Sequence, residues 1–488
     1  MGSYDAIVVG AGPGGSLTAY RLASAGARVL LLDKARFPRD KPCGGGVTIR
    51  ALEQLPFGID PVVEGMVDRF ELRLRHRRGF ARRAHAPLAL MTQRRRLDAY
   101  LVEQAVAAGA EFRDGVRVSR VAQGEVDGET ARVIVGADGA NGVTARSLGL
   151  RTDREHGVAL EGNLGNDEVD TERYARRLVL EFGTVPGGYG WVFPKGDHVN
   201  FGVGGWEEEG PRLRAHLARL CDAHGVDVSA LTEVRGHRLP LRRQGSALAE
   251  GRVALVGDAA GLVDPLSGDG MYEAFLSANL AARHALEILA GERESFDDYA
   301  AQLEERLAPL VRASWGAKLA LDRFPRLTLT VARAPFLWEL VVRLMRGEVA
   351  APREATGPVK IPLKVLKRIA RAAAVASVVG VLAGTASGAS ALRIRLLTET
   401  PSPPAGSAWA YYVRVTKAGK PWNGLVDIEV ATLKGKRIDY VGRYTFTRAR
   451  LASYIWNAAD QGRTLLFRMH FLEGGKEVGS TSYTVHVR

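Results

Sequence analysis

The spacing of apolar and polar residues changes several times along the chain. Ala6 to Val9 is an unbroken apolar run that stops at Gly10-Ala11-Gly12-Pro13-Gly14-Gly15. Apolar residues then recur with helical spacing at Leu17, Ala19, Leu22 and Ala23, and Val29 to Leu32 forms a second apolar run. This pattern predicts strand, tight turn, helix and strand. Two later apolar runs end in glycine turns, ARVIVGADGANG from Ala131 and GRVALVGDAAG from Gly251. Beyond Gly270 the spacing becomes helical through YEAFLSANLAARHALEILAG and FDDYAAQLEERLAPLVRASWGAKLALDRF. From Leu392 it alternates in short runs such as LVDIEVATL and STSYTVHV, divided by the turns KAGKPW, KGKR and EGGKEV, which predicts short β-strands.

The first unit carries chemistry. Gly10, Gly12 and Gly15 fit G-x-G-x-x-G, with Gly14 in the same turn. Such glycines permit a tight turn, the close approach of a pyrophosphate and the packing of helix on strand. The helix N-terminus offers free N–H groups and a positive dipole end to phosphates. Asp33 closes the second strand, near the ~20-residue spacing of an acid that holds a ribose hydroxyl. An acid there repels a 2′-phosphate, so FAD or NAD is expected rather than NADP.

The later segments choose between them. GADGANG contains Asp138-Gly139, and VGDAAGLVDPLSGDGMYEAF contains Gly257-Asp258 and then Gly268-Asp269-Gly270 opening a helix. Here the chain resembles the flavoprotein superfamily built on the para-hydroxybenzoate hydroxylase fold. The resemblance implies that Asp258 hydrogen-bonds the ribityl chain of FAD, and that Gly268, Asp269 and Gly270 present N–H groups to the N1/O2 edge of the isoalloxazine. TQRRRLDAYL fits the superfamily's Arg-x-x-aromatic-Asp pattern, with Arg94 at the flavin-contacting arginine and Leu97 replacing the aromatic residue.

The segment YGWVFPKGDHVNFGVG fits Tyr-x-Trp-x-Phe-Pro followed by Gly-x-Gly, through Tyr189, Trp191, Phe193, Pro194, Gly202 and Gly204. It resembles the geranylgeranyl reductases, flavoproteins that saturate isoprenoid double bonds. DKPCGGGV, with Cys43 before three glycines, resembles them too, and there the family places a cysteine-glycine turn over the flavin. The resemblance implies a prenyl-chain substrate and reduction by hydride from reduced FAD, with the electrons coming from NAD(P)H or a small redox protein. Alternate residues of a strand share a face, so Tyr189, Trp191 and Phe193 are expected to line one apolar slot. Cys43 is the family-suggested catalytic residue, yet an ordinary thiol, pKa ~8.5, is a weak acid for protonating an alkene, which leaves a positioning role equally open. The rival reading is an FAD-dependent monooxygenase or halogenase on the same fold. Tyr189 to Pro194 only distantly echoes the halogenase Trp-x-Trp-x-Ile-Pro, and Gly142 stands where a hydroxylase usually has serine.

Composition adds little. The 488 residues carry a formal charge of +13, which favours anionic partners such as phosphorylated substrates or acidic lipid headgroups. No nucleic-acid-binding or metal-ligand signature accompanies it. Two cysteines, Cys43 and Cys221, suit a reducing compartment. RLRLRHRRGFARRAH reads as a solvent-facing strand, with a diphosphate clamp as the alternative.

The expected class is α/β. A Rossmann-type FAD-binding domain spans 1–290 in three pieces (about 1–50, 88–150 and 250–290), and antiparallel β-sheet insertions for substrate lie between them (about 51–87 and 151–249). A helical cap follows over 291–359, then a basic plus apolar segment over 360–391, and an immunoglobulin-like β-sandwich over 392–488. Residues 372–392 are long enough to span a bilayer, but the basic run before them and Ala389-Ser390-Ala391 resemble a signal peptide. The expectation is a cytoplasmic, membrane-associated enzyme with an exported binding module.

Overall fold

A computed structural model describes residues 3–150, 155–243, 245–349, 352, 392–398, 408–417, 420–433, 436–447, 449–456, 458–473 and 476–487. The chain divides into two compact units, Met1–Arg371 and Ala372–Arg488.

At the centre of the first unit, the strand Tyr4–Val9 lies parallel between Val29–Leu32 and Glu129–Gly136, and Val253–Leu255 extends the sheet beyond the latter. Ala6, Val8, Val133 and Val135 are fully buried, as expected of strands covered on both faces. The register sets Val9 beside both Leu32 and Gly136, and Gly136 beside Leu255. The carboxyl ends of these strands therefore align, and every glycine turn noted above opens at the same edge. Ligands bind at that edge in open α/β sheets. The helices Pro13–Ser24 and Met271–Ala290 pack against one another over it.

A second sheet has seven strands in the order Thr232–Leu241, Glu155–Gly165, His198–Trp206, Tyr189–Pro194, Arg177–Phe182, Arg69–Leu74 and Arg77–Arg83. The sequence predicts an antiparallel sheet, but Arg69–Leu74 and Arg177–Phe182 pair in parallel. These two strands belong to separate excursions of the chain, so no hairpin joins them and their relative direction is free. One face of the sheet buries Val192, Phe201 and Val203 beneath the helix Leu213–His224, with Cys221 fully buried among them. The opposite face carries the rings of the Tyr-x-Trp-x-Phe segment. The arginine-rich segment was expected to face solvent and is a hairpin at the sheet's edge. Its arginines make ion pairs, Arg73 with Glu181 and Arg83 with Asp68, while Leu72 and Phe80 on its other face line a cavity. Three helices follow: Asp297–Arg323, Pro325–Ala332 and Pro335–Met345.

The second unit contains two four-stranded sheets with antiparallel pairings, built around Trp422, Trp456, Phe467 and Val485. The apolar run 372–391 lies outside the described residues. Among the described residues, no helix is long and apolar enough to cross a membrane.

Candidate active site

One continuous cavity of about 1430 Å³ runs through the first unit. At one end it is lined by Gly10, Gly12, Gly14, Asp138, Gly139 and the turn from Gly268 to Gly270. At the other it passes between the second sheet and the last three helices of the unit, among Leu178, Phe182, Leu321, Leu329, Trp338 and Leu344.

The glycine end is built by steric necessity. Gly10 has φ +102°, and a Cβ there would strike the Ala137 carbonyl. A Cβ on Gly15 would overlap the Gly10 carbonyl oxygen, so Gly15 packs the helix onto the turn and does not line the cavity. Asp33 accepts the Ala11 N–H on one carboxylate oxygen and the Ala35 N–H on the other, each at 2.8 Å. It thus braces the turn as well as lining the cavity. Asp138 accepts the N–H groups of Val143 (2.6 Å) and Thr144 (2.8 Å). A Cβ on Gly142 would collide with that carboxylate, so any larger residue there requires Asp138 to shift. Arg94 forms a buried two-pronged pair with Asp98 at 2.7 and 2.8 Å, and Arg39 joins Asp98 at 2.9 Å. Two guanidinium groups therefore meet at the cavity wall around one carboxylate.

Asp258 is mostly buried, and Lys41 Nζ sits 2.9 Å from its carboxylate, with His237 Nε2 at 3.7 Å. Burial opposes its ionisation, but the charges of Lys41 and His237 and their hydrogen bonds win, and the acid is held well below the usual carboxylate range. Beyond it, the Gly268 N–H is committed to the Asp264 carbonyl at 2.9 Å, because the turn closes on itself. Asp269 accepts the Met271 N–H at 2.9 Å, and burial pushes its carboxyl up to about 6. Glu273, one helical turn on, is pushed well above its ordinary value by burial and by Asp269 and Asp264.

Tyr189, Trp191 and Phe193 all reach the cavity, with neighbouring ring centroids 6.1 and 6.4 Å apart. Tyr189 donates its hydroxyl to the Ser267 carbonyl, joining the ring row to the turn that leads into Gly268–Gly270. Trp191 Nε1–H donates to Asn200 Oδ1 at 2.8 Å. A side chain on Gly202 would overlap the Trp191 indole, so this glycine is the seat of the ring and does not line the cavity. Gly204 lines it, and Pro194 ends the strand. A Cβ on Gly44 would strike Phe193, so the glycines after Cys43 let their turn lie directly on the rings.

Residues 3–314 match the FAD binding domain family. The chain belongs to this family. It is similar to the menaquinone reductase of Mycolicibacterium smegmatis, 32% identical over 390 residues that cover 72% of this chain and 93% of that protein. It is also similar to digeranylgeranylglycerophospholipid reductase 2 of Methanopyrus kandleri, 28% identical with 75% and 96% covered. A solved geranylgeranyl bacteriochlorophyll reductase-like protein from Thermoplasma acidophilum superposes with a TM-score of 0.62 at 22% identity, over 75% of this chain and 99% of that one. A flavin-dependent brominase superposes with a TM-score of 0.59 at 17% identity, covering 76% and 100%, which shares the fold and no more. The protein is an FAD-dependent oxidoreductase of geranylgeranyl reductase type.

The cavity fits that cofactor. Gly10, Gly12 and Gly14 bring side-chain-free backbone to its wall, and the carboxylates of Asp33 and Asp138 belong to residues that line it too. Lys41, Arg39, His237 and Glu161 also line the cavity and escaped sequence reasoning. Lys41 carried a signal, since it stands two residues before Cys43 in DKPCGGG; Glu161 carried none.

Proposed function

We propose that this enzyme saturates isoprenoid double bonds in the tail of a prenyl lipid, such as geranylgeranyl diphosphate, the menaquinone side chain or a prenylated lipid or pigment. The supporting observation is the continuity of the cavity, whose glycine end suits FAD and whose far end is walled by leucines and aromatic rings. Each buried methylene of a prenyl chain contributes ~0.8 kcal/mol, so the tail supplies most of the binding. FAD, once bound and reduced, supplies the hydride. The residues of this chain bind and orient the alkene, exclude water and deliver the proton. Indole and phenyl faces at Trp191 and Phe193 favour positive charge developing at a tertiary carbon.

In this reading, electrons come from transiently bound NAD(P)H or a small redox protein, and the lipid is met at the cytoplasmic membrane surface. Residues 392–488 act as an immunoglobulin-like binding module without a catalytic role. The test is anaerobic mixing of the pre-reduced protein with geranylgeranyl diphosphate or menaquinone. Flavin reoxidation driven by the prenyl compound without oxygen is the expected result. Reoxidation in air alone, with an oxygenated product, would move the protein to the monooxygenases.

A further inference from the structure

Strand pairing places one residue from each strand of the second sheet in a single cross-strand row: Phe80, Leu72, Leu180, Trp191, Gly202, Glu161 and Arg235. Directly paired residues share a face, so the apolar floor of the cavity runs unbroken from Phe80 to Trp191. There the indole lies over Gly202. The next residue is a carboxyl group. Glu161 is 9% exposed, lines the cavity and sits on the same wall as the rings. A buried carboxyl at the end of an apolar slot requires an explanation, since desolvation makes its charged form costly.

Its contacts are ordered around Cys43. Glu161 Oε1 accepts the Cys43 N–H at 2.7 Å, and Lys195 Nζ donates to the Cys43 carbonyl at 2.8 Å. Asn200, which holds the Trp191 indole, also reaches the Glu161 carboxyl and donates to Asn163 Oδ1 at 2.8 Å. The charged and titratable groups facing Glu161 are Lys195, Cys43 and Asp40 from the neighbouring turns and Arg235 from the adjacent strand, with Arg235 bound to Asp40 at 2.9 Å. Burial pushes the carboxyl above the ordinary glutamate value and Asp40 adds to this, whereas Lys195 and the Cys43 N–H pull it down. Burial therefore disfavours the charged form, while Lys195 and the Cys43 N–H remain in place to meet the carboxylate left after proton transfer.

We infer that Glu161 is the catalytic proton donor to the alkene, a role that rests on the prenyl-reductase reading above. The alkene π pair takes the Glu161 proton to form one C–H bond, and positive charge develops at the neighbouring tertiary carbon beside Trp191. The hydride, with its electron pair, closes the second C–H bond. The alkene gains two electrons and the reduced flavin loses two, which NAD(P)H or a redox protein restores. The Glu161 carboxylate regains its proton from water. A carboxylic acid is a far stronger proton donor than a thiol, which leaves Cys43 to position the turn over the rings.

The test compares wild type, Glu161→Gln, Glu161→Asp and Cys43→Ser as full-length, FAD-loaded proteins. Geranylgeranyl diphosphate and menaquinone serve as probes. Glutamine still accepts the Cys43 N–H, so flavin content and KM should match wild type while kcat falls by ~100-fold or more, the usual contribution of a general acid. The wild-type rate should decline as pH rises through the titration of Glu161, the residual Glu161→Gln rate should be flat, and aspartate should restore part of the activity. Cys43→Ser should lose much less kcat than Glu161→Gln, because it removes no general acid. Infrared spectra of the oxidised, substrate-free protein should show a protonated-carboxyl band that Glu161→Gln lacks. Should that variant fold poorly, Glu161→Asp decides the matter: the band that moves in this variant belongs to position 161, since the buried carboxyls of Asp269 and Glu273 are unchanged in it. Glu161→Gln turning over at the wild-type rate, or no such band at a pH where wild type is active, would overturn the donor role. A wild type that reduces neither probe would overturn the prenyl reading and the donor role with it.

Discussion

At the residue scale, the site is held by contacts between groups far apart in sequence. Lys41 and Asp258 are 217 positions apart, and Cys43 and Glu161 are 118 apart. Neither pairing has a local sequence pattern, which is why the glycine turns were legible beforehand and these partners were not. Glycine spacing encodes backbone shape directly, whereas a cross-sheet carboxyl has meaning only after the strands are in register. Replacing Asp258 with alanine leaves the half-buried Lys41 ammonium without its carboxylate and removes the acceptor expected for the ribityl chain. FAD retention should fall at least tenfold, measured as flavin-to-protein ratio after dialysis, and an undiminished ratio would contradict the assignment. Trp191→Ala removes a ring from the slot and leaves Asp258 and the Gly268–Gly270 turn unchanged. It should lower alkene turnover tenfold or more with FAD still bound, whereas loss of the flavin would show that the ring belongs to the fold.

At the element scale, period-two alternation correctly indicated that Tyr189, Trp191 and Phe193 share a face, because pleating requires it. It could not indicate the parallel pairing of Arg69–Leu74 with Arg177–Phe182, which joins segments that no hairpin connects. Nor could it show that the arginine-rich hairpin turns Leu72 and Phe80 towards the cavity. The helix Leu213–His224 covers the sheet's other face and ends in a buried histidine. His224 pairs with the Tyr174 hydroxyl at 2.8 Å, and burial, with Arg73 and Arg173 nearby, pushes it down to about 3. The folded protein therefore keeps it neutral, while the unfolded chain takes up a proton below about 6.5. As pH falls from there towards about 3, this group should cost the fold ~1.4 kcal/mol per pH unit. His224→Gln should flatten the acid limb of the stability curve measured by denaturant unfolding, and an unchanged slope would refute the assignment.

At the scale of the whole molecule, each unit has its own core, and the described residues that line the cavity belong to the first. Deleting residues 392–488 should leave FAD content and turnover within twofold of the full chain, as RT ln 2 is only about 0.4 kcal/mol. A large loss would assign the second unit a part in the reaction. The central claim is that a prenyl chain lies in this cavity and loses its double bonds there. Product mass spectrometry of the anaerobic, chemically reduced, full-length protein supplied with geranylgeranyl diphosphate or menaquinone tests it most directly. Products heavier by two hydrogens per saturated bond, formed without oxygen and abolished when FAD is removed, are the predicted result. A product that gains an oxygen atom, and forms only in air, would contradict it.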